Sequence, residues 1–352
     1  MLPACRQAGV SCLLIKMENL KEAILWDKEE DEKVSCYLCC HRCKISEGLY
    51  GICGVRQNLK GRLFTRVYGK VIAANIDPIE KKPIFHMLPG SLSYSIATIG
   101  CNFRCDFCQN WQISQVKQAI EVTSIAMSPQ EVVEKAKSNG CPSISYTYTE
   151  PTIFFEFALD VMKLAKKEKI YNVFVTNGFM TPECLEAAKP YLDAANVDLK
   201  SFSDDFYRKV CGGRLEPVLE SIMLMRKLNI WVEITTLVVP GLNDSSEELK
   251  KIALFIADID KGMPWHISRF YPDYKMARSS ATSMAKLEEA FKIGKDAGLR
   301  YVYIGNVAGE ENTYCYNCNA LLIRRLTFSV LENKLKNAKC PKCNSAIDGL
   351  AL

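Results

Sequence analysis

Long apolar runs, histidine and a strong excess of charge are all scarce in this sequence of 352 residues. No apolar run approaches the roughly 20 residues that a membrane-spanning helix needs, which argues against a membrane protein. The net charge is +5, which is too mild to indicate nucleic acid as a partner. The three histidines are His41, His86 and His266, and a lone histidine is more often structural than catalytic. The apolar stretch 10–15 is too short for a secretion signal, and no small-residue cleavage pattern follows it.

Cysteine, in contrast, is abundant, with 17 residues, and most of them are clustered in short-range pairs and triplets. Hydrophobic content of 48% and charged content of 24% are those of an ordinary globular chain. Clustered thiols in a chain of this size favour metal sites in a reducing cytoplasm over disulfides. Eleven cysteines fall into three groups, and the six that remain are predicted to be free thiols: Cys5, Cys12, Cys40, Cys141, Cys184 and Cys211.

The central group, Cys101, Cys105 and Cys108, has the spacing Cys-x3-Cys-x2-Cys, and we call it the cluster triad. Three thiolates are one short of the four that saturate a four-iron cluster, so one iron would stay open to a ligand. A closed zinc site or simple buried thiols are the alternatives. A closed zinc site needs a fourth ligand, and the chain offers no Cys or His after the triad until Cys141.

From about residue 93, β-branched and apolar runs alternate with helical signals, which predicts an α/β fold with a mainly parallel sheet. Ser128-Pro-Gln-Glu131 and Thr181-Pro-Glu183 resemble helix starts, as does the segment 243–248. An open sheet and a full or partial barrel both fit this pattern. The seven predicted strands are Tyr94–Ile99, Ser143–Thr147, Asn172–Thr176, Asn196–Leu199, Trp231–Val239, Trp265–Phe270 and Tyr301–Ile304.

Polar residues and cysteine follow five of these predicted strands directly. In parallel α/β folds the chemistry gathers at the carboxyl ends of the strands, so we expect these residues to converge. They are Cys101, Tyr148–Pro151, Thr176–Gly178, Asp198–Lys200 and Val239–Asn243.

The triad spacing, with Phe107 before its last cysteine, resembles that of radical S-adenosylmethionine (SAM) enzymes. The resemblance implies a partial (β/α)6 TIM-type barrel from about residue 93 to 304 and a [4Fe-4S] cluster whose open iron binds SAM. It also implies reductive cleavage of SAM to methionine and a 5′-deoxyadenosyl radical that abstracts a hydrogen atom. An external electron donor such as ferredoxin or flavodoxin would supply the electron.

The same resemblance assigns SAM contacts to residues after the second strand. Thr149 and Glu150 stand where many relatives have Gly-Gly-Glu and would contact the methionine ammonium group. This chain departs from that pattern at Tyr148 and Thr149. The alternative for Glu150 is a solvated loop carboxylate before Pro151. Phe107 would pack on adenine, and ordinary core packing is its alternative.

The third and fourth strands carry motifs that resemble those of glycyl-radical-enzyme activases. Thr176 and Asn177 belong to the first motif, and Asp198 and Lys200, in the second, would reach the ribose and carboxylate of SAM. Val175 replaces the aspartate of those proteins, which puts their cation site in doubt here. A surface ion pair is the alternative for Asp198 and Lys200. Three residues on or after the sixth strand are candidates for substrate contact: His266, Arg269 and Tyr271.

Two further cysteine groups flank the predicted barrel. Cys315, Cys318, Cys340 and Cys343 form two Cys-x2-Cys knuckles, which predicts a zinc-ribbon-like site, although iron is not distinguished by the ligands alone. We call them the C-terminal tetrad. At the other end, zinc and a second iron–sulfur cluster both fit Cys36, Cys39, Cys43 and Cys53, the N-terminal tetrad. Cys40 or His41 could replace Cys39 in that set.

The predicted organisation has four parts. Residues 1–35 are an extension and lead-in, and those before Met17 are expected to be poorly ordered or a mis-called start. Residues 36–92 form a Cys-rich metal module and connector, 93–310 the barrel, and 311–352 the C-terminal module.

Several segments together resemble the radical SAM enzyme of the AmmeMemoRadiSam system, which is distantly related to pyruvate formate-lyase activases. They are the N-terminal cysteine group, Asp77–Pro83, Cys101–Trp111, Tyr146–Pro151 and Tyr303–Asn306. Cys40 departs from the proline usual in that subgroup. Membership would imply Memo-like and AMMECR-like partner proteins.

The sequence therefore favours a cytoplasmic radical SAM enzyme that acts on an unidentified substrate such as a peptide. Activation of a glycyl-radical partner is the alternative enzyme function. A non-catalytic, zinc-ribbon nucleic-acid-binding protein is the alternative from a different class.

Overall fold

The computed structural model describes residues 20–116 and 123–352 of the chain. The predicted extension at residues 1–16 lies outside these ranges. Within them, no helix is both long enough and apolar enough to cross a membrane.

Seven short strands precede the main sheet. They build small antiparallel sheets with the orders β1-β6-β5 and β2-β3-β4, while β7 pairs with β10 (Ile125–Ala126) from later in the chain. The bounds of the first seven strands are β1 (Lys21–Glu22), β2 (Trp26–Lys28), β3 (Val34–Cys36), β4 (Lys44–Ile45), β5 (Arg56–Leu59), β6 (Arg62–Thr65) and β7 (Lys70–Val71).

The main sheet has eight strands in the order β16-β15-β14-β13-β12-β11-β9-β8. Seven are parallel, and β8 pairs antiparallel with β9 at one edge. Neighbouring strands follow one another along the chain, as expected when helices connect parallel strands. The strands are β8 (Ala73–Pro78), β9 (Leu92–Ala97), β11 (Ser143–Tyr146), β12 (Tyr171–Thr176), β13 (Ala194–Asp198), β14 (Trp231–Val238), β15 (Trp265–Arg269) and β16 (Val302–Gly305).

The prediction of an α/β fold with a mainly parallel sheet is confirmed, and each of the seven predicted strands overlaps one parallel strand. The sequence did not place β8 in this sheet, because the predicted barrel begins at residue 93. The strand carries little apolar signal: Asp77 is its one buried residue, and the other five are half-buried or exposed. An edge strand of this kind is held by its backbone ladder to β9 rather than by an apolar face.

Helices connect the parallel strands, and their starts follow the predicted capping signals. Ser128 and Glu131 form a capping box at the start of α2, and Thr181 Oγ1 accepts from Cys184 N at 3.2 Å. Ser245 caps α7 in the same way. The helices are α1 (Trp111–Ser114), α2 (Pro129–Ser138), α3 (Phe155–Lys167), α4 (Pro182–Ala188), α5 (Asp204–Phe206), α6 (Glu216–Lys227), α7 (Ser246–Ile259) and α8 (Met284–Asp296).

The segment 79–90, which follows β8, packs against side chains of four neighbouring parallel strands, and we call it the plug segment. Asn196 Nδ2 on β13 donates to Pro83 O at 2.7 Å. On β14, Glu233 accepts from the backbone nitrogens of Phe85 and His86 at 2.8–3.0 Å. The Phe85 ring lies 4.7–4.8 Å from the rings of two residues on β15 and β16, His266 and Tyr303. The plug segment therefore fills the space beside the amino-terminal halves of these strands.

The C-terminal module contains a three-stranded antiparallel sheet of β17 (Thr313–Tyr314), β18 (Leu321–Leu326) and β19 (Ser329–Asn333). Arg325 of β18 is completely buried, and its Nη2 donates to Phe85 O at 2.7 Å. Its Nε lies 3.4 Å from a carboxylate oxygen of Glu80, which is also buried. Glu80 and Phe85 both belong to the plug segment. The buried Arg325–Glu80 ion pair therefore attaches the C-terminal module to the segment that packs on the main sheet.

Candidate active site and its metal centres

A cavity of about 410 Å³ lies at the carboxyl ends of the parallel strands. Residues from β14 and β15 contribute to its walls, together with the loops that follow β9, β11, β12 and β13. All ten residues predicted to bind the cluster or SAM line it: Cys101, Cys105, Phe107, Cys108, Thr149, Glu150, Thr176, Asn177, Asp198 and Lys200. The structure thus brings the whole predicted set to one place, and the role of each residue stays a prediction.

The cluster triad lies in a largely buried environment. Cys101 Sγ accepts a hydrogen bond from Phe103 N at 3.4 Å, an arrangement that suits a thiolate. Burial raises the pKa of Cys101 and Cys108. The pKa of Cys105 is also raised, first by a hydrogen bond with the thiol of Cys211 and then by burial. Because burial disfavours a bare thiolate, these sulfurs need a cationic partner to be charged.

Gly100, just before the triad, allows the N-terminal module to pack directly on this loop. Its φ is +99°, and a Cβ built there would lie 2.6 Å from Val55 Cγ1 and 3.1 Å from Cys53 O. His41 Nε2 is 2.7 Å from Asn102 O, on the same loop. The backbone of one predicted metal module therefore touches the loop that carries the triad.

Glu150 joins the ends of β11 and β12. Its carboxylate accepts hydrogen bonds from Thr152 Oγ1 at 2.6 Å, Thr176 Oγ1 at 2.7 Å and Asn177 N at 2.8 Å. The side chain is buried, and desolvation raises its pKa. Glu150 is therefore not a solvated loop carboxylate. It is an internal acceptor that fixes the two strand ends on which the cavity depends.

Tyr148 occupies the position where many relatives have the first glycine of Gly-Gly-Glu, and it keeps a glycine-like backbone with φ at +64°. A left-handed conformation costs a residue with a side chain about 1–2 kcal/mol. Tyr148 Oη donates to the Asp77 carboxylate and accepts from Asn75 Nδ2, two contacts that glycine cannot make. The next residue, Thr149, donates its hydroxyl to Thr98 O at 2.8 Å.

Asp198 and Lys200 form an ion pair, with Lys200 Nζ 2.8 Å from Asp198 Oδ2. Desolvation opposes the charge on Lys200, but the charges of Asp198, Cys105 and Cys211 outweigh it and raise the pKa of the lysine. Lys200 Nζ also lies 5.9 Å from the centroid of the Phe107 ring. The pair lines the cavity beside the triad, so it is not simply a surface ion pair.

The sequence did not identify the cationic group at the base of the cavity. Lys81, Lys82 and Pro83 of the plug segment line it. Lys82 is 2% exposed, and its Nζ donates to Asp77 Oδ2 at 2.6 Å and lies 4.5 Å from the centroid of the Tyr148 ring. Burial lowers its pKa to about 8. The sequence signal that could have identified Lys82 is the segment Asp77-Pro-Ile-Glu-Lys-Lys-Pro83. Its two lysines lie between two prolines and within five residues of an aspartate.

The three predicted substrate contacts do not line this cavity. His266 is 3% exposed, and its Nε2 lies 2.7 Å from a carboxylate oxygen of Glu233, in the buried layer next to the plug segment. Arg269 Nε donates to Thr282 O at 2.8 Å, and Tyr271 is exposed outside the lining. The prediction was wrong for His266 because the residue lies near the amino end of β15, at the level of the plug segment. Ser268, two residues further along the same face of the strand, is the one that reaches the cavity.

The four sulfurs of the C-terminal tetrad all lie within 4.8 Å of one another. Cys315 Sγ is 3.5 Å from Cys343 Sγ, and Cys318 Sγ is 3.6 Å from Cys340 Sγ. A tetrahedral zinc ion with bonds of about 2.3 Å places its sulfurs about 3.8 Å apart. Hydrogen bonds from the side chain and backbone of Ser345 lower the pKa of Cys343 to about 6, which favours a thiolate.

The N-terminal module separates Cys39 from its neighbour Cys40. Burial raises the pKa of Cys39, and the charges of the other three members of the N-terminal tetrad raise it further. Cys40 Sγ instead donates to Met180 O at 3.1 Å, so its hydrogen goes to a different part of the chain. The other members of the predicted tetrad therefore lie near enough to Cys39 to affect its pKa, whereas the thiol of Cys40 is directed to Met180.

The chain is similar to known proteins, and the names of some of them agree with this geometry. The family model described as the radical SAM superfamily matches residues 95–256. An uncharacterized protein of Methanocaldococcus jannaschii is 46% identical over 94% of this chain and 99% of its own length. The pyruvate formate-lyase-activating enzyme of Clostridium pasteurianum is 24% identical over 56% of this chain and 87% of its own.

A solved domain of a pyruvate-formate lyase-activating enzyme from Bacteroides vulgatus is also similar, with 21% identity and a TM-score of 0.41. The alignment covers 46% of this chain and 98% of that domain. The chain belongs to the radical SAM superfamily and is related to the pyruvate formate-lyase activating enzymes.

Proposed function

We propose that this protein reductively cleaves SAM at a [4Fe-4S] cluster held by Cys101, Cys105 and Cys108, and that the resulting radical abstracts hydrogen from a substrate in the same cavity. The observation that carries the proposal is the convergence of the triad and the seven predicted SAM residues on one cavity at the strand ends. Membership of the superfamily implies both the cluster and SAM.

The donor set fits such a cluster. Three thiols line one cavity wall, and Phe103 N donates to one of them. Hydrogen bonds to ligand sulfurs are a usual means of adjusting cluster potentials. Cys211 does not line the cavity. The set therefore supplies three ligands, and the fourth iron is left for SAM.

Cys101, Cys105 and Cys108 would hold the cluster, which in its reduced form would supply the one electron needed to cleave SAM to methionine and a 5′-deoxyadenosyl radical. The residues around it have separate tasks in this proposal. Asp198 and Lys200 present opposite charges to SAM, which itself carries an ammonium and a carboxylate group. Glu150 is committed to three neighbours, so its main contribution is to hold Thr176 and Asn177 in position.

The substrate would lie between the triad and the base of the cavity, where Lys82 presents a buried amine. One of its three N–H groups is directed to Asp77. Asp77 also accepts from Lys81 at 2.8 Å and from Tyr148, so its negative charge does not depend on Lys82 alone. This arrangement leaves Lys82 able to contact a bound substrate.

Activation of a glycyl-radical enzyme is less well supported than hydrogen abstraction from another substrate. The relatives named as activating enzymes support the superfamily chemistry. Their names give the substrates of those proteins and not the substrate of this chain. Val175 lines the cavity where the activase motif has an aspartate, so this chain offers no carboxylate there. Membership of an enzyme superfamily lends no support to a non-catalytic nucleic-acid-binding protein.

The finer structural predictions complete the proposal. The parallel strands of the main sheet are taken to form the partial (β/α)6 barrel, and the C-terminal tetrad to hold zinc in a structural, ribbon-like module. A cytoplasmic ferredoxin or flavodoxin would supply the electron. Memo-like and AMMECR-like proteins are the proposed partners on the strength of the sequence resemblance.

The test is SAM cleavage by anaerobically reconstituted protein. With a strong reductant, the wild-type protein should release 5′-deoxyadenosine, measured by liquid chromatography and mass spectrometry, and Cys105→Ala should abolish the release. Cys40→Ala is the matched control, because Cys40 belongs to neither metal set and bonds to Met180 O. A protein that holds a confirmed four-iron cluster at the triad and releases no 5′-deoxyadenosine would refute the proposal.

A further inference from the structure

The N-terminal tetrad is a converging, buried group of thiols. Cys43 Sγ and Cys53 Sγ lie 3.7 and 3.8 Å from the same point, the position of a Cβ built on Gly51. Cys36, Cys39 and Cys53 are buried, and Cys43 is half-buried. Four cysteines gathered in one largely buried module are typical of a metal centre rather than of free cysteines.

The spacing of these sulfurs distinguishes the tetrad from the C-terminal one. In the two described ranges, the C-terminal tetrad is the one group of three or more possible ligands whose atoms all lie within 4.8 Å of one another. No three sulfurs of the N-terminal tetrad meet that limit in the structure, whereas a single zinc ion holds its sulfurs about 3.8 Å apart. A four-iron cluster binds each thiolate on a different iron and therefore needs the wider spacing.

A buried cation also lies next to the tetrad. Arg56 is 1% exposed, and its Nη1 donates to Cys36 Sγ at 3.0 Å. Its Nη2 pairs with the carboxylate of Glu156, whereas its Nε has no hydrogen-bond partner. Buried charges are stable when they are paired and hydrogen bonded. An anionic cluster in thiolate ligation would provide further negative charge beside this guanidinium group.

The tetrad is also next to the cluster triad. Cys53 contributes the carbonyl oxygen that would lie 3.1 Å from a Cβ at Gly100, and Cys101 follows Gly100 directly. Arg104, between the first two triad cysteines, donates from Nη2 to Ile52 O, which precedes Cys53. Loops that carry ligands of the two sites are thus in direct backbone contact.

From these observations we infer that Cys36, Cys39, Cys43 and Cys53 hold a second four-iron cluster, which passes electrons from an external low-potential one-electron donor to the cluster triad. Each passage moves one electron, so the N-terminal site is oxidised by one electron as the triad site is reduced by one, and no bond or proton changes. The relay rests on the proposed function, whereas the existence of the second cluster does not.

Iron analysis of a variant without the triad tests the cluster directly. A protein with Cys101, Cys105 and Cys108 all changed to Ala should retain about four irons and four sulfides per chain after anaerobic reconstitution. On reduction it should give the EPR signal of a one-electron-reduced cluster. Adding Cys39→Ala should remove this iron, and adding Cys40→Ala instead should leave it. A triple variant that is folded by circular dichroism and contains zinc without iron would overturn the inference.

The wild-type protein provides a second measurement that does not depend on the variant's folding. It should bind about eight irons, and SAM should perturb one of two reduced-cluster EPR signals while leaving the other unchanged. Four irons in a fully reconstituted protein would contradict the second cluster.

The relay is tested in the otherwise intact protein by Cys39→Ala. Reduction of the triad cluster by a flavodoxin or ferredoxin should slow at least tenfold, followed by rapid-mixing absorbance, whereas Cys40→Ala should match the wild type. An unchanged rate would refute the relay. Wild-type protein with both clusters that reduces normally but releases no 5′-deoxyadenosine would refute the proposed function and leave the second cluster in place.

Discussion

Replacement of Gly100 by alanine tests whether the N-terminal module and the triad loop depend on each other. The new Cβ would meet Val55 Cγ1 at 2.6 Å and Cys53 O at 3.1 Å, closer than ordinary van der Waals contact. Overpacking of this kind costs about 1–3 kcal/mol, and the positive φ of +99° adds about 1–2 kcal/mol. We therefore expect Gly100→Ala to destabilise the protein by about 2–5 kcal/mol.

Gly48→Ala is the matched control. Gly48 belongs to the same module and has φ at +76°, but a Cβ built there has no atom within 4 Å. This variant should show the backbone cost alone, about 1–2 kcal/mol. Val55→Ala removes the nearer of the two contacts but also truncates a buried side chain. The Gly100→Ala/Val55→Ala double variant should therefore be less destabilised than the sum of the two single variants.

Anaerobic urea denaturation followed by tryptophan fluorescence measures the differences, and iron per chain measured beforehand shows whether the triad loop has moved. Gly100→Ala should unfold at a clearly lower urea concentration than Gly48→Ala and should bind less iron after reconstitution. Equal midpoints for the two variants, with equal iron, would refute the argument, because the packing of Cys53 on Gly100 would then contribute nothing.

Three further predictions concern the rest of the molecule. Lys82→Met breaks a buried ion pair and should lower the free energy of unfolding in urea by about 3 kcal/mol. Lys81→Met changes a half-exposed lysine and should lower it by less than about 1 kcal/mol. Equal losses would contradict the buried position of Lys82. Burial raises the pKa of Glu311 from 4.5 to about 7, so the folded protein holds a proton that the unfolded chain releases, and the contribution of Glu311 to wild-type stability should fall as pH rises from 4.5 to 7. Glu311→Gln should lack this fall, so its stability relative to wild type should rise by up to about 3 kcal/mol across that range, and parallel curves in urea titrations would refute the assignment. Cys343→Ala should lower zinc by about one per chain and leave iron unchanged in metal analysis; a loss of iron would mean that the C-terminal tetrad holds an iron site.

The sequence was sufficient for the parallel strands and for the residues at their ends. Apolar, β-branched runs identify buried strands, and a polar residue directly after such a run has to lie at the edge of the sheet. For this reason the sequence alone predicts that Glu150, Asp198 and Lys200 converge, and all three line the same cavity. The triad could be predicted from less sequence information, because its spacing alone indicates three thiolates on one loop.

The same local patterns could not predict contacts between segments that lie far apart in the chain. Lys82 becomes a cavity residue because the plug segment folds against strands whose residues lie more than 100 positions later, and no local pattern records that packing. The backbone of Tyr148 was equally unpredictable, since its left-handed conformation is stabilised by Asp77 from another strand. His266 was misplaced because the strand pattern shows which face a side chain takes but not how far along the strand the cavity begins, and His266 lies near the amino end of β15.

The plug segment also has a consequence for how distant parts of the molecule are connected. Its Lys82 lines the cavity, and two residues earlier Glu80 pairs with Arg325 of the C-terminal module. Any displacement of the C-terminal module is therefore transmitted to the cavity through three consecutive residues.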